Sequence, residues 1–247
     1  LKSIPGGGGE IFAPAVREKI GLGKCNAEVW LTVMRIAHEL GMNTSATMMF
    51  GHIEGIADRI HHMELVRSWQ DRSIEDFGLH GGGRYKAFIS WPFQPDNSPL
   101  GRVKEWNISK ADPFPGDVVA KLDGTGVKSE HPEFGRRIRL AGSSSYLRTQ
   151  AISRLFLDNI YSIGSSWVTM GPAIGQTALY YGANDLGSVM LEENVVSAAG
   201  TTWCMNEAKL CHMIRGAGFT PAKRDNKYDL LQLHDGDNAP DKMVTDW

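Results

Sequence analysis

Leu1-Lys2-Ser3-Ile4-Pro5-Gly6-Gly7-Gly8-Gly9-Glu10-Ile11 reads as a short strand, a glycine turn and the approach to a helix beginning near Glu10. Strand, turn and helix in that order form the repeating unit of a parallel α/β sheet. The stretch has no initiator Met and no lead-in. It reads as an internal strand, so the chemistry is expected to draw on residues outside this sequence.

Working outward, the same alternation recurs to give five units. Asn26 is a good N-cap for a second helix, with Val29, Trp30, Val33, Ile36, Ala37 and Leu40 on one face and a stop at Gly41. A second strand is expected over 44–50, ending at Gly51-His52. Ile53, Ile56, Ile60, Met63, Val66 and Trp69 follow at helical spacing. A third strand over 87–91 ends in Pro92-Phe93-Gln94-Pro95. The polar, Gly-, Pro- and Ser-rich stretch 96–144 is too long for a simple connection and reads as an excursion or lid. A helix over about 145–159 follows. A fourth strand is expected over 163–170, and Gly171-Pro172 opens its helix with Pro in the favoured first turn. A fifth strand near 187–191 and a last helix over about 207–215, stopped by Gly216 and Gly218, complete the pattern. The tail 229–247 is polar and reads as an irregular surface segment. No repeat of solenoid period is present.

Five units are too few to close an eight-stranded barrel. They suit a small open sheet or the C-terminal part of a larger barrel. The second is preferred because polar residues gather just after each strand: Gly6 to Glu10, His52 and Glu54, Gln94 and Asn97, Thr169 and Gln176, and 192–194. In a parallel barrel these positions share one rim, where active sites form.

With 247 residues, 42% hydrophobic and 22% charged, the chain can bury a full core and has the composition of a globular protein. A net charge of -2 gives no electrostatic case for nucleic acid or an anionic membrane. No apolar run has the length of a membrane span. Cys25, Cys204 and Cys211 lack metal-ligand spacing, and so sparse an odd count fits a reducing cytoplasm. No secretory or transit segment is visible.

The candidate site residues each admit two readings. The glycine turn matches neither the Walker pattern nor G-x-G-x-x-G. Its N–H groups suit a carboxylate at a helix N-terminus, with Glu10 free to hold an ammonium or ribose hydroxyls. Equally, it is a tight turn with Glu10 complementing the helix dipole. His52 and Glu54 either orient a substrate and move a proton or form an N-terminal cap with an exposed acid. His61 and His62 point to different faces and read as surface or packing residues. The aromatics of Trp91-Pro92-Phe93-Gln94 and Ser165-Ser166-Trp167-Val168-Thr169-Met170 are core, or they sandwich a planar ligand that Gln94 or Thr169 orients. Glu192-Glu193 is a solvated pair or a general base. No Ser-His-Asp arrangement, zinc spacing or phosphate loop stands out.

Ser3 to Ile11, Ala46-Thr47-Met48-Met49-Phe50-Gly51-His52-Ile53-Glu54 and the stretch 155–160 together resemble radical S-adenosylmethionine (SAM) enzymes of the menaquinone pathway, a branch related to deazaflavin synthase. Trp91-Pro92-Phe93-Gln94-Pro95, 165–172 and 182–200 resemble most the cyclic dehypoxanthine futalosine synthases. The resemblance runs to about Tyr228, and the 96–144 excursion is longer than the family leads one to expect. That family holds a [4Fe–4S] cluster on C-x3-C-x2-C, which none of the three cysteines here fits.

The resemblance implies an α/β fold: the C-terminal part, about strands 4 to 8, of a radical SAM (β/α) TIM-type barrel over 1–228, plus a C-terminal extension. The cluster-bearing N-terminal barrel segment would lie outside this sequence. It implies the cofactors SAM and a [4Fe–4S] cluster, and a flavodoxin or ferredoxin as electron donor. The implied reaction converts dehypoxanthine futalosine to its cyclic form, by hydrogen abstraction at ribose C4′ and radical addition to the benzoate ring. In that reading Ser3 and Glu10 face SAM. The amides of the turn, Gly7 and Gly8 among them, hold the benzoate carboxylate. Gln94, Trp167 and Thr169 face substrate, with His52 and Glu54 as candidate proton acceptors. The alternatives are an aminofutalosine synthase, which shares the glycine turn and the Gly-His-x-Glu block, and a cluster-less binding or scaffold protein.

Overall fold

The computed structural model describes residues 3–21, 23–98, 100, 140–189, 198 and 203–245. Among them, β1 (Ser3–Ile4), β2 (Asn43–Phe50), β3 (Tyr85–Pro92) and β4 (Ser162–Gly164) form one parallel sheet. Their order in space is their order in sequence. Asp185 bridges Gly164 in parallel and occupies the next place along. An order without reversal, joined by right-handed crossovers, puts every connecting helix on the same face. α2 (Ala27–Glu39) and α3 (Ile56–Gly81) pack on β2, and α4 (Ser143–Phe156) packs on β3. The opposite face carries none of these three helices, and its residues Ser45, Met49, Ile89 and Trp91 line a cavity.

The strands record this asymmetry. Along β2, Thr44, Ala46, Met48 and Phe50 are buried, while Asn43, Ser45, Thr47 and Met49 are half-buried. The buried set meets Phe88, Ile163, Met63, Val66, Tyr146 and Leu157 in the main core. Polar groups on this side are tied off. His38 lies between Ser73 Oγ (2.8 Å) and Thr44 Oγ1 (2.7 Å). Gln70 exchanges two bonds of 2.9 Å with the Tyr85 backbone. Opposite the β2 step from Thr44 to Ser45, the register jumps from Tyr85 to Ala87, so Lys86 is the extra residue of a β-bulge.

Several expectations are corrected. The first helix starts at Pro14, not near Glu10; α1 is Pro14–Ile20, with Pro in its first turn. Asn26 caps α2 as expected, its side chain accepting from Val29 N–H at 2.8 Å. The buried face of α2 is a different one, however: Trp30, Leu31, Met34, Ala37 and His38 face inward, while Val29, Val33, Ile36 and Leu40 are exposed. Trp30 sets the rotation, because its indole N–H donates to Gly7 O at 3.1 Å and its ring packs 5.2 Å from Phe12.

The fourth strand ends at Gly164. Ser165 N–H donates to Asp185 O (2.8 Å) and Ser166 N–H to the Tyr146 hydroxyl (2.7 Å), turning the chain into a short helix, α5 (Trp167–Met170). α6 (Pro172–Thr177) follows. Of the fifth strand expected near 187–191, residues 187–189 are not in a strand and 190–191 lie outside the described residues; the bridge found is at Asp185. α7 (Glu207–Gly216) stands as expected. The tail is not irregular: β5 (Ala222–Arg224) and β6 (Leu230–Leu233) form an antiparallel hairpin that crosses the expected boundary at 228. Arg215 then binds Asp241 (Nε to Oδ2, 2.7 Å) and the His234 carbonyl (2.7 Å), fixing the segment beyond. Of the 96–144 excursion, 99 and 101–139 lie outside the described residues, as do 190–197 with Glu192 and Glu193. Among the described residues no helix is long and apolar enough to cross a membrane.

Candidate active site

Parallel strands share a direction, so the segments that leave them emerge at one edge of the sheet. The glycine turn follows β1 there, Gly51-His52 follows β2, Phe93-Gln94 follows β3 and Ser165-Ser166 follows β4. The turn sits hard against β2. A Cβ on Gly6 would lie 2.5 Å from Ser45 O, and one on Gly9 would lie 2.7 Å from Thr47 O. Only glycine permits that approach. The turn's carbonyls are all engaged. Thr47 Oγ1 donates to Gly6 O (2.6 Å), Trp30 Nε1 to Gly7 O, and buried Arg17 to Gly8 O (2.9 Å) and Gly9 O (2.7 Å). Among the described residues no partner meets the Gly7 and Gly8 N–H groups, and Gly7 is exposed.

Glu10 closes the turn with a φ of 42° and is 8% exposed. Lys24 binds its Oε1, while Oε2 is buried without a partner among the described residues. A buried carboxylate oxygen lacking a donor carries a desolvation penalty that an incoming N–H or O–H would relieve. Within this turn it is the atom that fits a cofactor's ammonium or hydroxyl.

His52 and Glu54 lie behind the rim. Both are buried, and neither lines the cavity described below. Glu54 accepts from Gly51 N–H (2.7 Å), His52 N–H (2.8 Å) and Arg59 Nε (2.8 Å), with His52 Nδ1 at 3.0 Å. Burial pushes this carboxyl upward, but His52, Arg59 and the two N–H groups outweigh it and hold Glu54 below the usual carboxylate range. His52 Nε2 lies 3.1 Å from Met49 O, and its Nδ1 is approached by Ile53 N–H (2.8 Å) as well as by Glu54 Oε2. The expected exposed cap is therefore a fully bonded buried cluster. His62 is also buried, stacked 4.0 Å from Phe12, and His61 is exposed.

The uncovered face of the sheet forms a cavity of about 770 Å³. Met49, Ile89, Trp91, Phe93 and Trp167 give it apolar walls. Ser3, Gln94 and Thr169 bring polar groups to it. Gln94 donates to Pro92 O (3.0 Å), and Thr169 shares a 2.7 Å bond with Ser166 Oγ. Trp167 is 1% exposed, and its indole N–H is committed to Leu186 O (2.7 Å), so it offers ring surface only. Of the expected site residues, the structure thus brings Ser3, Gln94, Trp167 and Thr169 together around the cavity. Gly7, Gly8 and Glu10 stand at the turn, outside the lining.

Among the lining residues that the sequence reading did not single out for the site are Lys86, Asp185, Arg224 and Tyr228. Arg224 forms a two-pronged ion pair with Asp185 and lies 4.0 Å over the Tyr228 ring. The C-terminal hairpin thereby floors the cavity at the end where the strands begin. A lysine inside an apolar strand was a visible signal for Lys86. The turn residues between Arg224 and Leu230 were a signal for the hairpin. Cys25 and Cys204 are exposed and Cys211 is buried, all outside this lining. Among the described residues no three His, Cys, Asp or Glu converge as a metal requires.

Residues 134–236 match the family described as the CofH/MqnC C-terminal region. The chain is 37% identical to a cyclic dehypoxanthine futalosine synthase of Halalkalibacterium halodurans, over 98% of this chain and 54% of that protein. It is 37% identical to the enzyme of the same name from Streptomyces coelicolor, over 95% and 48%. It is 34% identical to an aminodeoxyfutalosine synthase of Thermus thermophilus, over 95% and 53%. These matches bear out the likeness read from the sequence, and the chain spans about half the length of the curated relatives it matches.

Proposed function

We propose that this chain, a relative of the futalosine synthases, is part of a radical SAM cyclase that converts dehypoxanthine futalosine to cyclic dehypoxanthine futalosine. Its sheet is then an arc of a (β/α) barrel, and the uncovered face is the barrel interior. The observation that carries the reading is the cavity on that face, apolar and aromatic along its walls, with polar groups at the C-terminal rim. Such a lining suits a benzoate-bearing nucleoside.

SAM together with a [4Fe–4S] cluster supplies, when bound, the means of abstracting a hydrogen atom. The cysteines of this chain do not fit as cluster ligands, so that group would be held by residues outside it. Glu10 and Ser3 are the candidates for the SAM side: Glu10 Oε2 is a buried acceptor without a partner among the described residues, and Ser3, seven residues earlier on β1, lines the cavity. Gln94 and Thr169 orient the sugar at the rim, and Trp91 and Trp167 flank the aromatic ring. The Gly7 and Gly8 N–H groups are donors at the same rim. The walls hold the ring against the C4′ position and exclude water, which confines reaction to one C–H bond. His52 and Glu54 hold the rim in place. For either to accept the reaction's proton, the bonds of its cluster would have to open.

The test is an assay of the full-length protein with dehypoxanthine futalosine and, separately, with the substrate of the aminodeoxyfutalosine synthases. The spirocyclic product from the first alone supports the reading. Product from the second alone moves the chain to the other branch, which the Thermus thermophilus likeness keeps as the second reading. Product from neither supports a binding or scaffold role. Glu10→Gln is expected to weaken SAM binding at least tenfold in equilibrium dialysis.

A further inference from the structure

We infer that Lys86 anchors a carboxylate of the ligand, which then lies lengthwise along β3 with its anionic end at the floor of the cavity. The inference rests on the reading above that the cavity takes an aryl carboxylate joined to a sugar. Two cations line the cavity among the described residues, Lys86 and Arg224. Arg224 is committed: Asp185 takes two of its N–H groups, and Tyr228 covers its plane. Lys86 makes no ion pair among the described residues. The β-bulge explains how a lysine comes to face an apolar cavity. As the extra residue between Tyr85 and Ala87 it lines the cavity together with Ala87, Ile89 and Trp91. Burial and the neighbouring Arg84 both disfavour its charge, and Asp229 only partly offsets them. A cation so placed gains from an anion that enters the cavity.

Length fits as well. Lys86 and Trp91 are five steps apart, which at about 3.3 Å each is about 16 Å of strand. That span takes the Lys86 side chain and the carboxylate at the floor, then the ring against the wall that ends in Trp91 and Trp167, with the sugar folded back on the ring at the rim. The Gly7 and Gly8 N–H groups are the competing carboxylate site. They lie outside the cavity lining, so a ligand held there would leave the floor cation unused.

The test measures binding of sodium benzoate, benzamide and dehypoxanthine futalosine to the full-length protein and to its Lys86→Gln and Lys86→Arg variants by calorimetry. Circular dichroism confirms the fold of each. The expected result is that benzoate binds at least tenfold tighter than benzamide, that Lys86→Gln removes this preference and that Lys86→Arg keeps it. Equal binding of benzoate and benzamide, or no change in Lys86→Gln, overturns the assignment. If benzoate binding depends on Lys86 but dehypoxanthine futalosine does not bind, the anion site stands and the proposed function falls. If dehypoxanthine futalosine binds the wild type and Lys86→Gln alike, the function stands and the role of Lys86 falls.

Discussion

Met49 and Phe50 are joined by one peptide bond and sit in different media. Phe50 is fully buried, stacked against Tyr146 with the Arg59 guanidinium 4.6 Å from its ring centre, while Met49 lines an open cavity. The same division runs down the whole sheet. On the covered face His38, Gln70 and Glu54 have found partners, and the polar atoms left without one among the described residues, both His62 ring nitrogens and the Tyr85 hydroxyl, are shut away from solvent. On the uncovered face the polar groups are half-buried, and Lys86 has no counter-ion among the described residues. Strand geometry alternates the two environments residue by residue, so one sequence encodes a finished core and an unfinished surface. Substitutions on the first should be read out as stability, and substitutions on the second as binding.

The largest effect is expected at Glu54. Removing its side chain (Glu54→Ala) takes the counter-ion from Arg59, leaving it the Ser145 and Thr149 hydroxyls, and strips two buried N–H groups of their acceptor, a loss of about 3 kcal/mol in denaturant unfolding. Because its carboxyl is held low in the folded state, its contribution is complete above the ordinary carboxylate value. It is lost as pH falls through the depressed folded value. An acid titration of wild type against Glu54→Gln isolates that loss; identical acid limbs would contradict it.

His38 comes next. Burial lowers it from 6.5 to about 4, so the folded state disfavours its protonation. Its contribution is full above pH 6.5 and falls away down to about pH 4, by at most about 3 kcal/mol. His38→Asn should therefore flatten the stability profile between those two values. Gly6→Ala should cost about 1–3 kcal/mol, since its methyl meets the Ser45 backbone. An unchanged melting midpoint would show that the turn does not press on β2. The smallest stability effects belong to the open face. Gln94→Ala and Thr169→Val should change unfolding by no more than about 0.5 kcal/mol while weakening dehypoxanthine futalosine binding. If either destabilises like a core substitution, the two faces are not the separate environments described.

Much of this was legible in the residues, and the failures have physical reasons. The Asn26 cap, β2, β3 and α7 stood where local signals put them, because each is bounded by its own cap, glycine or proline. The orientation of α2 was not legible. Val29-Val33-Ile36-Leu40 and Trp30-Leu31-Met34-Ala37 are both apolar stripes, and the choice between them depends on one indole bond to Gly7. The fourth strand was drawn too long because Ser165, Ser166 and Val168 look extended. Their partners, Tyr146 and Asp185, are twenty residues away from Ser166 and Ser165 in either direction. The place of the C-terminal hairpin at the cavity was missed for the same reason, since Arg224 and Asp185 are 39 residues apart. At the candidate site the sequence supplied the rim and lacked the floor.

Arg17 gives the glycine turn a thermodynamic character that its composition conceals. Four consecutive glycines ordinarily form the most mobile segment of a chain. Here one guanidinium bonds the carbonyls of Gly8, Gly9, Ile11 and Cys25, and the turn is ordered before any ligand arrives. A molecule docking against it loses its own freedom but does not have to freeze the loop. Recognition at this rim should accordingly show a small entropic penalty, and cutting the tether with Arg17→Met should enlarge that penalty while leaving every atom that touches the ligand in place.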